Sequence, residues 1–183
     1  MRDEQTEGRM EKVEALKTQG ISAYPDRFSV NYELFEASQL EDGTSGVRVA
    51  GRIMSIRNFK NLIFITISNI QGSLQLLLKR DEIGEIPFKQ FNDLVDIGDF
   101  IGVEGKMYST NTKEKTLRIE SYVLLGKTLR SLPEKWHGLS NIELRYRQRY
   151  LDLMMTKDTQ NRMLSRSKMV RAIRRFLEDQ EFM

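Results

Sequence analysis

The sequence contains no cysteine, which excludes disulfide cross-links and thiolate metal sites together. A reducing compartment, the cytoplasm, is the expected location. Histidine is almost as scarce. His137 stands alone, so a histidine metal site or a Ser-His or Cys-His catalytic pair would have to be built on one residue with no supporting motif around it. No Gly-rich phosphate loop or paired-carboxylate constellation replaces them. No apolar run approaches the ~20 residues that cross a bilayer. The N-terminal MRDEQTEGRMEK lacks the apolar stretch of a signal peptide, and no membrane partner is expected. Charge of one sign is also in short supply: a net charge of +3 fits a nucleic-acid partner without demanding one. What is ample is apolar content, 39% of 183 residues, enough for a proper core and against disorder.

That content is most ordered in residues 51–75, GRIMSIRNFKNLIFITISNIQGSLQ. Ile63, Ile65 and Ile67 fall on one face of an extended segment, with Phe64, Thr66 and Ser68 on the other. After the turn Ile70-Gln71-Gly72-Ser73 the alternation resumes, with Leu74, Leu76 and Leu78 inward and Ser73, Gln75 and Leu77 outward. Phe64 and Gln75 therefore share an outer face. Upstream, Val47 and Val49 set an inward parity that would bury Arg57, unless a bulge near Gly51 places Met54 and Ile56 inside and Arg57 outside. We take the bulged reading. A ring flanked by a guanidinium and a carboxamide can hold one unstacked base, with stacking from Phe64 and base-edge hydrogen bonds from Arg57 and Gln75. Each of the three is ordinary alone on a strand surface; their convergence is what points to nucleic acid.

Taken in order, residues 6–19 carry Met10, Val13 and Leu16 at helical spacing, with Thr6 a candidate cap and Gly20 placed to stop the helix. Arg9, Lys12 and Lys17 lie off that stripe, where they either meet a phosphate backbone or, more commonly, form a solvated face. Residues 21–46, broken by Tyr24-Pro25, Glu41-Asp42-Gly43 and Ser45-Gly46, read as a connection with a short helix at 32–40. The third strand ends at Lys79-Arg80-Asp81. Pro87 then opens a helix bearing Phe88, Phe91, Leu94 and Val95 that plugs one end of a barrel. Gly98-Asp99 restarts extended structure through Phe100, Ile101, Val103 and Met107, and the polar tip 109–114 separates it from a last strand with Leu117 and Ile119. The expected fold is mainly β with flanking helices, in the element order of the five-stranded OB-fold β-barrel, whose binding face includes strands two and three. Phe64 and Gln75 lie on those strands, with Glu114 at the rim.

Three sets of residues carry a resemblance over nearly the whole chain: Val49-Ala50-Gly51-Arg52-Ile53-Met54; Gly98-Asp99 with Gly102-Val103-Glu104-Gly105; and Leu132-Pro133-Glu134-Lys135-Trp136-His137-Gly138-Leu139 running into RYRQRYLDL at 145–153. The chain resembles the N-terminal anticodon-binding region of bacterial-type class II lysyl-tRNA synthetases. RYRQRYLDL alone is similar to the aspartyl and asparaginyl enzymes too, and WHGL favours the lysyl branch. The resemblance implies the anticodon loop of a lysine tRNA as partner. It implies Phe64 as the ring that stacks on the central uridine, Arg57 and Gln75 as the pair that reads that base, and Glu114 as a contact to a neighbouring base. Departures are Ile56 where an arginine is common, 58–62 in place of a small Gly-containing loop, and Lys113 in place of a glycine.

On this reading 1–46 is an N-terminal helix and connection, 47–126 the OB-fold anticodon-binding domain, 127–157 a linker with the WHGL and RYRQRYLDL segments, and 158–183 an incomplete motif-one helix of the catalytic domain. That helix spaces Met163, Met169 or Val170, Ile173, Phe176 and Leu177 helically among Arg162, Arg166, Arg171, Arg174 and Arg175, a basic face read as solvated. The resemblance implies a homodimer in the parent enzyme, and a weak dimer or none for these residues alone. It implies that the parent joins lysine to tRNA through a lysyl-adenylate with ATP and magnesium. The 183 residues, lacking motifs two and three, are expected to bind tRNA only, with no cofactor and no catalytic or metal-ligating residue. Two other readings stay open: a general single-stranded nucleic-acid-binding OB module, and a protein-interaction or dimerisation piece.

Overall fold

The alternation of Ile, Leu and Val with polar residues yields five strands. β1 spans Val47–Phe59, β2 Leu62–Ser68, β3 Ser73–Lys79, β4 Phe100–Ser109 and β5 Lys115–Gly126. The computed structural model describes residues 4–110, 112–133 and 141–182. Asn111 of the polar tip, His137 and the WHGL segment lie outside the described residues. Two compact units divide the chain, Met1–Ser131 and Leu132–Met183. In the first, α1 (Glu4–Thr18) and α2 (Leu34–Gln39) precede the strands, and α3 (Arg80–Ile83) and α4 (Glu85–Leu94) lie between β3 and β4. Every strand pair is antiparallel except β3 with β5, and the sheet closes on itself in the order β1-β2-β3-β5-β4. This is the expected five-stranded arrangement.

The core is the inward parity of each strand. Ile63, Ile65 and Ile67 of β2 and Leu74, Leu76 and Leu78 of β3 are buried with Val47, Val49, Ile53, Ile101, Val103, Met107, Leu117 and Ile119. Phe88, Phe91 and Leu94 of α4 are buried in the same cluster, as the helical spacing after Pro87 predicts. The bulge of β1 is displaced from its expected place. Gly51 stays in register opposite Ile101, and the shift falls between Ile53 and Ser55. Met54 is thus half-buried rather than core, while Ile56 packs on the core. Gly51 serves close packing instead: a Cβ there would come within 3.2 Å of Ile67 and of the Ser68 carbonyl, and 3.3 Å of Leu34 on α2. The reversal of parity still occurs, and Arg57 faces outward opposite Phe64.

Helix α1 starts at Glu4, so Thr6 lies inside it rather than capping it. It ends at Gly20, whose φ of 71° allows the Gly20 N–H to reach the Lys17 carbonyl and the Ile21 N–H the Leu16 carbonyl, both at 2.9 Å. Two of its three cations are structural. Arg9 donates to the carbonyls of Thr128 at 2.7 Å and Ile97 at 3.1 Å, and Lys12 to Asp96 at 2.7 Å; Lys17 forms a solvated pair with Glu14. A phosphate-contacting role for Arg9 and Lys12 gives way to docking the helix on the barrel.

Beneath Lys12 lies a buried charge cluster. Asp99 has no accessible surface and accepts from the Lys127 Nζ at 2.6 Å and from the backbone N–H groups of Asp96 and Thr128, each at 2.8 Å. Lys127 is buried as well and also bonds to Asp96. Burial pushes the Asp96 carboxyl up, but the hydrogen bonds and charges of Lys12 and Lys127 outweigh it and hold the group below its ordinary 3.8.

In the second unit α5 spans Ile142–Arg147, α6 Arg149–Met155 and α7 Lys157–Asp179. Asn141 caps α5 by accepting from the N–H groups of Glu143 and Leu144. Asp152, fully buried, accepts from Arg145 Nε at 2.9 Å and Arg149 Nη1 at 2.7 Å, and Arg145 also reaches the Thr159 hydroxyl. The RYRQRYLDL segment thus orders itself around one carboxylate. On α7, Met163, Met169, Val170, Ile173, Phe176 and Leu177 are exposed.

Removing one partner of a buried ion pair leaves the other unpaired, at about 3–5 kcal/mol. Lys127→Ala is therefore expected to lower the unfolding free energy by that order, and Lys12→Ala, at a part-exposed pair, by about 1 kcal/mol or less. Urea titration of both variants checks this; equal losses would show that Asp99 does not depend on Lys127. Because the folded Asp96 value is lowered, its contribution is present above pH 3.8 and is lost as pH falls through the folded value. Asp96→Asn is expected to flatten stability against pH below 3.8, read by thermal melts across that range.

Candidate nucleic-acid interface

Four strands bring side chains onto one outer face. The register sets Arg57 of β1 opposite Phe64 of β2, Thr66 of β2 opposite Gln75 of β3, and Gln75 beside Thr116 of β5. The guanidinium carbon of Arg57 lies 5.6 Å from the centre of the Phe64 ring, within cation–π reach. Arg57 Nη2 donates to Gln75 Oε1 at 2.9 Å, and Gln75 Nε2 donates to Thr116 Oγ1 at 2.9 Å. The Thr116 hydroxyl in turn donates to the Glu114 carbonyl at 3.2 Å. One line of hydrogen bonds thus crosses from β1 to the loop before β5.

Arg57 is exposed and Phe64 half-buried with its ring on the outer face. Gln75 and Leu77 have the outer parity read from the sequence but are covered, with 6% and 3% of their surface accessible. Gln75 is enclosed by its two partners, while Leu77 lies between Phe64 and Arg118 in the register. Glu114 is exposed at the rim, and it joins the other three through its backbone; among the described residues its carboxylate has no hydrogen-bond or ion-pair partner. Its turn is held by Thr110, whose N–H donates to the Glu114 carbonyl and whose hydroxyl accepts from the Glu114 N–H, both at 3.1 Å. Lys113 adopts a φ of 61°, the left-handed conformation that a glycine takes more readily.

Two residues of this face escape the sequence reading. Phe59 is 53% exposed and stands edge-on to Phe64, with ring centres 6.0 Å apart at 88°. Its parity equals that of Arg57, so alternation after the bulge was a sufficient signal. Thr116 is completely buried beside Gln75. Only the parallel pairing of β3 with β5, which no local pattern announces, brings it there. Together the groups offer two aromatic rings, a guanidinium and an oriented carboxamide, suited to stacking one base and reading its edge.

Residues 47–125 match the OB-fold nucleic acid binding domain family, and residues 141–183 match the class II tRNA synthetases of the D, K and N group. Among curated proteins the chain is similar to lysine-tRNA ligases. It is 41% identical to the lysine-tRNA ligase of Aquifex aeolicus, over 94% of this chain and 28% of the relative. It is 37% identical to that of Fusobacterium nucleatum, over 96% of this chain and 36% of the relative. With lysine-tRNA ligase 2 of Methanosarcina acetivorans the identity is 36%, over 97% and 36%. The chain therefore spans about a third of the length of these curated relatives.

A base stacked on an aromatic side chain contributes about 1–3 kcal/mol. Phe64→Ala is expected to weaken binding of a short uridine-bearing single-stranded RNA by roughly 5- to 150-fold, and Phe59→Ala, which removes edge support, by less than about tenfold. Fluorescence titration with a labelled oligonucleotide reads both. Unchanged affinity on losing the Phe64 ring would exclude it as the platform.

Proposed function

We propose that this chain reads the anticodon loop of a lysine tRNA, as the binding part of an enzyme that attaches lysine to that tRNA through a lysyl-adenylate. The observation that carries the proposal is the Arg57–Gln75–Thr116 line of hydrogen bonds beside the Phe64 ring. The names and identities of the relatives support it. Phe64 stacks the central uridine, Arg57 and Gln75 bond its edge, and Glu114 reaches a neighbouring base from the rim loop. In this reading residues 47–126 are the anticodon-binding domain, 1–46 its helical brace, 127–157 a linker and 158–183 part of a motif-one helix. The exposed stripe of α7 pairs with a second copy in the enzyme, and weakly or not at all in this chain.

ATP and magnesium belong to the adenylate step of that enzyme. Among the described residues no three His, Asp or Glu side chains gather where they could hold a metal ion, so no step is assigned here to magnesium. Among the same residues no helix is long and apolar enough to cross a membrane, and a cytoplasmic location is part of the proposal.

The test is titration against two anticodon stem-loops that differ only in a central uridine or cytidine. The unmutated chain is expected to prefer uridine, and Gln75→Ala to lose that preference more than it loses total affinity. Equal binding of the two loops would favour a general single-strand module, and binding of neither would favour a protein-interaction role.

A further inference from the structure

We propose that Thr116 is a positioning residue that decides which pyrimidine the site accepts, by holding the Gln75 carboxamide in one of its two orientations. The proposal rests on the anticodon-loop reading. A half-turn of a glutamine amide exchanges its acceptor and donor ends. An arginine carries donors only, so the end of Gln75 that faces Arg57 at 2.9 Å is Oε1, and the end that faces Thr116 Oγ1 at 2.9 Å is Nε2. Read across the face, the protein presents an Arg57 N–H, the Gln75 oxygen and a Gln75 N–H: donor, acceptor, donor.

A uracil edge presents carbonyl, N3–H, carbonyl, which complements that order at each position. Cytosine presents carbonyl, unprotonated N3 and amino group. Against the same amide its N3 meets Oε1, two acceptors face to face; only the turned amide fits it. Selection therefore reduces to what stops Gln75 from turning. Arg57 is a poor guarantor, because it is exposed and has to direct donors at the base when one arrives. Thr116 is better placed. It has no accessible surface, and its hydroxyl hydrogen is engaged by the Glu114 carbonyl at 3.2 Å, so it offers Gln75 only a lone pair. Turning the amide would set Oε1 against that lone pair unless the hydroxyl abandons Glu114.

The experiment measures the ratio of affinities for the uridine and cytidine stem-loops in the unmutated chain, Thr116→Val and Thr116→Ser. Valine keeps the volume and removes the hydroxyl, and the preference is expected to fall about tenfold, with affinity for the cytidine loop rising. Serine restores the hydroxyl and is expected to restore the ratio. If melting shows the valine variant unfolded, Thr116→Ala, which also lacks the hydroxyl, carries the same expectation. A merely structural role would weaken both loops in proportion, and an unchanged ratio in Thr116→Val or Thr116→Ala overturns the proposal. Equal binding of both loops by the unmutated chain is a distinct outcome, which overturns the anticodon reading and this inference with it.

Discussion

Closure of the sheet through β3 and β5 is the constraint on which the rest of the first unit depends. The two strands run parallel and pair over Gln75 with Thr116, Leu76 with Leu117 and Leu77 with Arg118. Without that seam the edges of β3 and β5 would be open and Leu76 and Leu117 would lose their shared interior. The same pairs supply the outer face: Leu76 and Leu117 point in, and by alternation Gln75 and Thr116 point out. A seam that holds the core together and a polar contact that orients a side chain are one structural event viewed from its two faces.

Strand β5 extends this economy along its length. Thr116 near its start belongs to the outer face with Gln75, and Lys127, one residue past its end, belongs to the buried cluster with Asp99 and Asp96. That cluster fixes the turn into β4 and, through Lys12, seats α1. Gly105 opposes Ile119 in the middle of β5's pairing with β4, where a Cβ would lie 1.9 Å from the Arg118 carbonyl, so even that backbone separation is set by a residue type. The outer face of Arg57, Phe64 and Gln75 is therefore built on backbone held at both ends of one strand, which limits how far its side chains wander.

Inward positions were legible wherever parity was uninterrupted: Ile63 to Ile67 and Leu74 to Leu78 need only the two-residue period of a strand. The bulge was inferred from a conflict of parity, which correctly turned Arg57 outward, but its position was not. Gly51 looks like the natural site of a bulge, and the need of α2 to approach the sheet is invisible in a linear pattern. The burial of Gln75 and the roles of Arg9 and Lys12 were hidden for a related reason. A polar side chain is read as solvated until its partners are known, and those partners lie from 18 to 119 residues away in the chain. Phe59 is the different case, since it shares the parity of Arg57 on β1 and its outward ring is legible from alternation alone.

Before any base is present, Arg57 is already divided between the Phe64 ring and Gln75 Oε1. In the proposed reading a stacking base takes the place of the guanidinium over or beside the ring, so the cation–π contact is exchanged rather than added to. The hydrogen bond of Gln75 to Thr116 needs no such exchange, because it lies on the covered side of the amide. On that proposal affinity comes mainly from the ring and discrimination from the amide, since leaving a buried donor or acceptor without a partner costs more than a made bond contributes. A surface that separates the two tasks can lose specificity through a single buried hydroxyl while its contact area with RNA stays the same.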